Sequence, residues 1–200
     1  MQNNELYIYV ASVNRFKNFN NVPEFVKREL DKIKNDNLKD QKRSTYGLLD
    51  YAYYKENGYK ADLNEIIKDE RGKPKHKKFY VSFSHTKDLV AIAISDVNVG
   101  IDIEEIKPIK IFCEPKKKLL ANGETVNDFE EATLLWTKKE AAFKFDDSID
   151  CFTPSKIDVQ NYSSRSYKII NEGKEFYLSV VARNTNKVKI EMIDGKICKN

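Results

Sequence analysis

Residues 79–104 read FYVSFSHTKDLVAIAISDVNVGIDIE. They contain three runs rich in β-branched and aromatic residues, at positions 79–83, 89–94 and 98–104, and short polar turns separate the runs. Runs of this composition between turn residues predict β-strands. We therefore expect three strands in the middle of the chain, and the segments on either side are interpreted relative to them.

Helical patterns flank this strand segment. The first extends from about Val22 to Asn57, with a break near residues 35–37 and a stop at Asn57-Gly58. The second extends from about Asp128 to Phe145; Asp128 can cap it, and Glu131 occupies the third helical position. Further strands are predicted at residues 6–10, 166–170, 175–181 and 187–193, with a weaker candidate at 156–159.

The order of elements, a helix followed by three or more strands, occurs twice. No residue-level repeat accompanies it, so the similarity is one of element order. This order predicts an α+β fold built from two halves that pack against each other. The predicted division near residue 105 gives an N-terminal half at 1–105 and a C-terminal half at 106–200.

Composition excludes several classes of protein. The 200 residues are 40% hydrophobic and 12% aromatic, which is enough to form a core. No apolar run approaches the roughly 20 residues that span a bilayer, and residues 1–5 do not resemble a secretory signal. The three cysteines, Cys113, Cys151 and Cys198, are widely spaced, so we expect a cytoplasmic protein without a disulfide framework or structural zinc. The net charge of +4 suits acidic partners without selecting one.

The strand at residues 99–104 carries two acids in alternation. Because side chains alternate along a strand, Ile101 and Ile103 should face one way and Asp102 and Glu104 the other. Two carboxylates on one face can converge on a hard cation such as Mg²⁺. A half-buried strand with a solvated acidic face is the ordinary explanation of this pattern taken alone.

The second helix carries a polar stripe. Trp136, Glu140 and Lys144 follow one another at four-residue intervals and so lie along one side of the helix. A carboxylate and an ammonium on one stripe can meet a metal and a phosphate, although an amphipathic helix with Glu–Lys pairing has the same pattern. We expect Trp136 to be a packing residue.

A third candidate region precedes the acidic strand. Lys73 lies in the turn Gly72-Lys73-Pro74, and a serine and a histidine, Ser84 and His85, end the next predicted strand. A Ser-His pair at a strand end can bind phosphate, but alone it is a weak signal. The sequence contains no Gly-x-Ser-x-Gly elbow, Walker-type phosphate loop or zinc-ligand spacing.

Taken in order, these features resemble the surfactin-synthetase-activating (Sfp-type) class of 4′-phosphopantetheinyl transferases. The family pattern comprises a Gly-Lys-Pro turn, a Phe-x-x-Ser-His strand, a Gly-x-Asp-x-Glu strand and a Trp-x-x-Lys-Glu-x-x-x-Lys helix. The corresponding segments here are 72–74, 80–85, 100–104 and 136–144. The resemblance extends from Arg43 to Lys144, about half of the chain.

The resemblance implies a pseudo-twofold α+β monomer, a pseudo-dimer within one chain, with coenzyme A in the cleft between the halves. It also implies roles for individual residues. Asp102, Glu104 and Glu140 would hold Mg²⁺; Ser84, His85 and Lys144 would contact phosphates; Lys73 and Pro74 would lie beside the adenosine; Arg43 would meet the 3′-phosphate, with Lys27 or Arg28 nearby.

The implied reaction transfers the pantetheine arm of coenzyme A to a serine of an apo acyl or peptidyl carrier protein. Glu140 would act as the base and Lys144 would stabilise charge on the phosphoryl group. No nucleic acid or membrane partner is implied. Two segments depart from the family pattern: residues 145–150 are acidic and contain no glycine, and the presumed docking loop at 107–126, with its basic run Lys116 to Lys118, matches nothing specific.

Three alternatives remain open from the sequence. Glu105-Ile106-Lys107 with Asp88 or Asp96 can be read as a metal-dependent nuclease motif. The basic and aromatic run at residues 75–80 can be read as a nucleic-acid-binding module. The chain can also be an inactive relative that retains the fold.

Overall fold

The protein is described by a computed structural model over residues 5–108, 119–185 and 187–198. In chain order its elements are β1 (Leu6–Ser12), α1 (Val13–Phe16), α2 (Glu24–Lys32), α3 (Asp36–Asn57), β2 (Ile67–Lys68), β3 (Pro74–Lys75), β4 (Tyr80–His85), β5 (Leu89–Ser95), β6 (Val99–Glu105), α4 (Phe129–Phe145), β7 (Ser164–Asn171), β8 (Lys174–Ala182), β9 (Val188–Met192) and β10 (Lys196–Cys198). Short 3₁₀ turns lie at Leu63–Glu65, Pro154–Lys156 and Val159–Asn161.

The strands form two four-stranded sheets. The first has the order β4-β5-β1-β9 and the second the order β10-β7-β8-β6, while β2 and β3 pair as a separate hairpin. Neighbouring strands are antiparallel except for β1 and β9, which are parallel. The predicted α+β class is confirmed.

The two sheets pack face to face around a shared core. Leu6, Ile8 and Val10 of β1 contribute to this core from the first sheet, and Ile101 and Ile103 contribute from the second. The opposite face of the first sheet packs on α2 and α3, and α4 packs on the outer face of β6 and β8. Each sheet thus carries its own long helix, as expected for two similar α+β halves.

The sheets exchange strands between the ends of the chain. β6 ends at residue 105 and so belongs to the N-terminal segment, but it pairs with β8 in the second sheet, and β9 returns from the C-terminal part to pair with β1. The division into 1–105 and 106–200 therefore stays a prediction about chain segments, while the sheets themselves contain strands from both.

Most predicted elements are confirmed, and so are the predicted helix stop at Gly58 and the cap at Asp128. Asn35 accepts a hydrogen bond from the backbone N–H of Leu38 at the start of α3, and Gly58 ends that helix at φ 75°. Asp128 caps α4 by accepting from Glu131 N, as predicted. The prediction of a strand at 156–159 is wrong. Pro154 begins a 3₁₀ turn there, and in the following 3₁₀ turn the Asp158 side chain accepts a hydrogen bond from Gln160 N.

Short elements account for the strands that were missed. The hairpin β2–β3 has two residue pairs and β10 has three residues, too few to produce a periodic pattern. Over the described part of the chain, no helix combines the length and apolar character that crossing a membrane requires.

Candidate active site

A cleft of about 450 Å³ opens where the edge strands β4 and β6 of the two sheets meet. Helices α3 and α4 and the hairpin β2–β3 complete its walls. It contains eight residues that the sequence singled out: Lys73, Pro74, Ser84 and His85 from the N-terminal side, then Asp102, Glu104, Glu140 and Lys144. Tertiary folding has therefore brought these separate motifs into one cavity of a size typical of ligand sites.

Gly100 allows α4 to approach β6 closely. A Cβ atom at this position would lie 2.0 Å from the carbonyl oxygen of Ala141 and 2.6 Å from the backbone nitrogen of Phe145. Only a residue without a side chain permits that contact. The glycine of the Gly-x-Asp-x-Glu strand thereby places Glu140 and Lys144 of the helix beside Asp102.

Two serines join the edge strands of the sheets. Ser82 Oγ accepts a hydrogen bond from Ile101 N at 3.0 Å, and Ser84 Oγ accepts one from Ile103 N at 3.1 Å. These bonds satisfy backbone donors at an edge where no strand pairing is formed. They hold β4, with its terminal His85, against the acidic strand.

The centre of the cleft is acidic with one ammonium among the carboxylates. Lys144 Nζ donates to Asp102 Oδ1 at 2.7 Å and lies 3.5 Å from Glu140 Oε2. Burial, then the charges of Asp102 and Glu140, raise the pKa of Glu104 to about 7. Burial and the charge of Asp102 raise the pKa of Glu140 to about 7 as well. Both shifts reflect carboxylates crowded together in a partly desolvated site.

The acidic side chains fit a hard divalent cation by their chemistry. Asp102 is 2% exposed, and its Oδ2 atom is buried with no hydrogen-bond partner among the described residues. Mutual repulsion with Glu104 and Glu140 would be relieved by a cation bound between them. As the side chains stand, no three His, Cys, Asp or Glu residues of the described ranges are arranged to hold a metal ion; the Lys144 ammonium is the cation in contact with this cluster.

The wall facing the acids is basic. Lys42 and Lys68, which the sequence did not single out, line it, and both donate to Glu29 at 2.6 and 2.7 Å respectively. Reduced hydration, then the positive charges of Lys144 and Lys42, lower the pKa of His85. A neutral imidazole beside ammonium groups can donate a hydrogen bond to an anionic ligand.

The hairpin β2–β3 is held against the end of α4 by Arg71. Its Nη1 donates to the backbone carbonyls of Asp146 at 3.0 Å and Ile149 at 2.7 Å, and its Nη2 donates to Asp147 Oδ1 at 2.6 Å. Lys73 Nζ donates to the same Asp147 oxygen at 3.2 Å. The segment at 145–150 therefore anchors a wall of the cleft through two backbone carbonyls and the Asp147 carboxylate.

Outcomes for the other predicted residues are mixed. Trp136 packs edge-on against Phe152, with ring centroids 5.3 Å apart, so its predicted packing role is confirmed. Lys42 is one of the described residues that line the cleft, and its neighbour Arg43 is not. The Nη1 atom of Arg43 lies 4.0 Å from Asp40 Oδ1. A role for Arg43 at the cleft stays a prediction. The basic run at 116–118 and Cys113 lie outside the described residues.

A buried lysine supports the helix from its far side. Lys139 is 0% exposed; its Nζ donates to the carbonyls of Pro154 at 2.9 Å and Ile157 at 2.8 Å and pairs with Glu124 Oε2. A buried ammonium is stable only with such partners. The lysine next to Glu140 therefore anchors the segments that flank α4 instead of entering the cleft.

The residues of the two rival motifs do not gather in this cleft. Lys107 donates to Glu105 at 2.6 Å, and Asp88 accepts from Lys174, 86 positions away. These nuclease-like residues are therefore held in ion pairs outside the cleft. In the basic run at 75–80, His76 is stacked on Phe79 and that phenylalanine is 3% exposed. These two rings form part of the packing and leave Tyr80 as the exposed aromatic side chain of the run.

Comparison with known families adds independent information. Residues 98–190, somewhat less than half of the chain, match the model of the 4′-phosphopantetheinyl transferase superfamily. The matched range contains the four residues Asp102, Glu104, Glu140 and Lys144. The cleft residues Lys73, Pro74, Ser84 and His85 lie before the matched range. No curated protein matches the chain.

Proposed function

We propose that this protein is an Sfp-type, magnesium-dependent 4′-phosphopantetheinyl transferase. It transfers the 4′-phosphopantetheine moiety of coenzyme A to a serine of an apo acyl or peptidyl carrier protein and releases 3′,5′-ADP. We further propose that it works as a cytoplasmic monomer, with coenzyme A lying along the cleft between the two sheets.

The observation that carries this proposal is the convergence of four separate motifs in one cleft. The Lys73 turn, the Ser84–His85 strand end, the acids of β6 and the polar stripe of α4 all line it. The superfamily match at 98–190 supports the assignment for the acidic strand and the helix. A cleft that is acidic at its centre and basic on one wall suits a diphosphate bound together with a cation.

Different cleft residues would bind the adenosine end and the phosphates of coenzyme A. Lys73 and Pro74 on the hairpin would lie beside the adenosine end, while His85 and Lys144 would contact phosphate oxygens. The reacting phosphorus would then lie near the carboxylates at the cleft centre. Holding both ends of the co-substrate fixes the line of attack for an incoming hydroxyl.

The reaction forms one bond and breaks another at the β-phosphorus. The carrier serine oxygen attacks that phosphorus, and the bond to the bridging oxygen breaks, so that 3′,5′-ADP leaves with the bonding electrons. Glu140 accepts the serine proton, directly or through a water molecule. Lys144 stabilises negative charge on the transferring phosphoryl group.

Asp102, Glu104 and Glu140 are the residues that would hold the metal. A bound Mg²⁺ would supply positive charge against the pyrophosphate of coenzyme A. The Oδ2 atom of Asp102 supports this assignment, because it is buried and has no hydrogen-bond partner within the described part of the chain.

Intact-mass spectrometry tests the activity. Purified protein is incubated with apo carrier protein, coenzyme A and Mg²⁺, and we expect the carrier to gain the pantetheine arm, and to gain none when EDTA replaces Mg²⁺. Glu140→Gln should lower turnover by roughly a hundredfold or more through loss of the base. Asp128→Ala, which removes only the cap of the same helix, should cost about 1 kcal/mol of stability and leave turnover unchanged. Transfer at the wild-type rate by Glu140→Gln would show that the base is assigned wrongly.

A further inference from the structure

We propose that Ser84 is a positioning residue for the metal site: its hydroxyl holds Asp102 so that the Oδ2 atom of that carboxylate faces the cation. The sequence pattern suggested a phosphate contact for Ser84, and the structure gives its hydroxyl different partners. This inference rests on the proposed function, because it concerns the metal that Asp102 would bind.

The hydroxyl of Ser84 forms hydrogen bonds with other protein atoms. Its oxygen donates to Asp102 Oδ1 at 2.7 Å and accepts from Ile103 N at 3.1 Å. A serine hydroxyl has one proton to donate, and here it forms the hydrogen bond to the Asp102 carboxylate. Ser84 is 7% exposed, so water competes little for either bond.

The two oxygens of Asp102 consequently differ. Oδ1 accepts from both Ser84 Oγ and Lys144 Nζ, each at 2.7 Å. Oδ2 is buried without a hydrogen-bond partner among the described residues. A buried carboxylate oxygen is costly unless something binds it. Two donors on Oδ1 fix the plane of the carboxylate, and this leaves Oδ2 as the oxygen available to a cation.

Ser82 provides a matched comparison on the same strand. It is 2% exposed and accepts from Ile101 N at 3.0 Å, as Ser84 accepts from Ile103 N. Within the described residues its hydroxyl forms no hydrogen bond with a carboxylate, whereas the hydroxyl of Ser84 donates to Asp102. The variants Ser82→Ala and Ser84→Ala therefore remove the same link between β4 and β6, and only the second also releases Asp102.

Binding of Mn²⁺, a paramagnetic substitute for Mg²⁺, tests the inference. Free Mn²⁺ is measured by electron paramagnetic resonance during titration of the full chain with coenzyme A present, corrected for coenzyme A alone. We expect Ser84→Ala to raise the Kd for Mn²⁺ by about 10- to 100-fold, the usual effect of losing a hydrogen bond that orients a metal ligand. Ser82→Ala should stay near the wild-type Kd.

Two further measurements separate this role from others. In EDTA, Ser84→Ala should bind coenzyme A as the wild type does; weakened binding would instead identify Ser84 as a phosphate ligand. Ser84→Thr, which keeps a hydroxyl, should retain Mn²⁺ affinity, and Ser84→Val, whose side chain has the shape of threonine without the hydroxyl, should lose it. This pair decides the question if Ser84→Ala does not fold.

The possible failures are distinct. Equal Mn²⁺ affinity in Ser84→Ala and Ser82→Ala, or in Ser84→Thr and Ser84→Val, overturns the positioning role while the metal site stands. A wild-type protein that binds no Mn²⁺ overturns the metal site of the proposed function, and the inference with it.

Discussion

Gly100 of β6 lies directly against Ala141 of α4, so close that an added methyl group would be 2.0 Å from the Ala141 carbonyl oxygen. This contact sets the separation between the strand that carries Asp102 and the helix that carries Glu140 and Lys144. The ion pair between Asp102 and Lys144 at 2.7 Å depends on it.

Gly100→Ala should therefore damage both stability and the site. The new methyl group would meet helix backbone, which cannot rotate away, so we expect a loss of about 3 kcal/mol or more in denaturant unfolding. Turnover of the folded fraction should also fall, because α4 must move away from β6. Gly58→Ala is the control: its φ is 75° with open space around it, so only the left-handed backbone is penalised, by about 1–2 kcal/mol. Similar losses for the two variants would contradict this account of Gly100.

The anchor between the hairpin and α4 predicts an effect on coenzyme A binding. Arg71 is 16% exposed and donates to three oxygens. Arg71→Ala should raise KM for coenzyme A about tenfold, the effect of losing a charge-assisted bond worth about 1.5 kcal/mol. Asp147→Ala should raise it less, because Asp147 is 52% exposed and solvent screens its charge.

Steady-state kinetics with coenzyme A as the varied substrate measures both variants. Asp147 does not line the cleft described above, so its effect must act through the hairpin. Asp150→Ala, an exposed acid in the same segment, should leave KM unchanged. Indistinguishable KM values for Asp147→Ala and Asp150→Ala would remove Asp147 from the positioning of the cleft wall.

The 3′-phosphate contact can be assigned by comparing Lys42 with Arg43. The family resemblance predicts this role for Arg43, whereas Lys42 is the neighbour that lines the cleft. We expect Lys42→Ala to weaken binding of coenzyme A about ten- to a hundredfold more than binding of 3′-dephospho-coenzyme A, because a charge-assisted pair is lost. Isothermal titration calorimetry on both ligands measures this difference. Lys39→Ala, on the same helix, is the control, and a larger selective loss in Arg43→Ala would restore the role that the resemblance predicts.

His76 should make the protein less stable in mild acid. Its side chain is 2% exposed, its Nδ1 accepts from Lys78 N at 3.1 Å, and burial, opposed mainly by Glu65, lowers its pKa from 6.5. The unfolded chain then binds a proton at higher pH than the native protein does. Stability from this group is complete above about pH 6.5 and is lost as the pH falls from there through the lower native pKa.

Denaturant unfolding at several pH values measures this effect. His76→Gln keeps an acceptor for Lys78 N but cannot titrate, so its stability should change less between pH 7 and pH 5 than that of the wild type. An NMR titration of the imidazole signals checks the cause directly, because the sequence contains only two histidines. A native pKa of 6.5 or above for His76 would contradict the prediction.

Local patterns in the sequence determined most of the secondary structure and the chemical types at the site. The alternation of β6 correctly predicted that Ile101 and Ile103 face the core while Asp102 and Glu104 face away from it. The cap at Asp128 was equally readable. These features depend on residues within a few positions of one another, so the printed sequence contains the information they require.

Only the tertiary structure decided how those parts meet. In sequence, 76 positions separate Arg71 from Asp147, 18 positions separate Ser84 from Asp102, and 42 positions separate Asp102 from Lys144. Nothing in either local segment specifies such a partner. The Ser84–Asp102 contact follows from two edge strands of different sheets lying side by side. The Asp102–Lys144 contact follows from a helix that approaches Gly100 closely, and the Arg71–Asp147 contact from a hairpin that packs against the end of that helix. The sequence therefore determined which groups could do chemistry, and the packing of the two sheets decided which atoms of those groups meet.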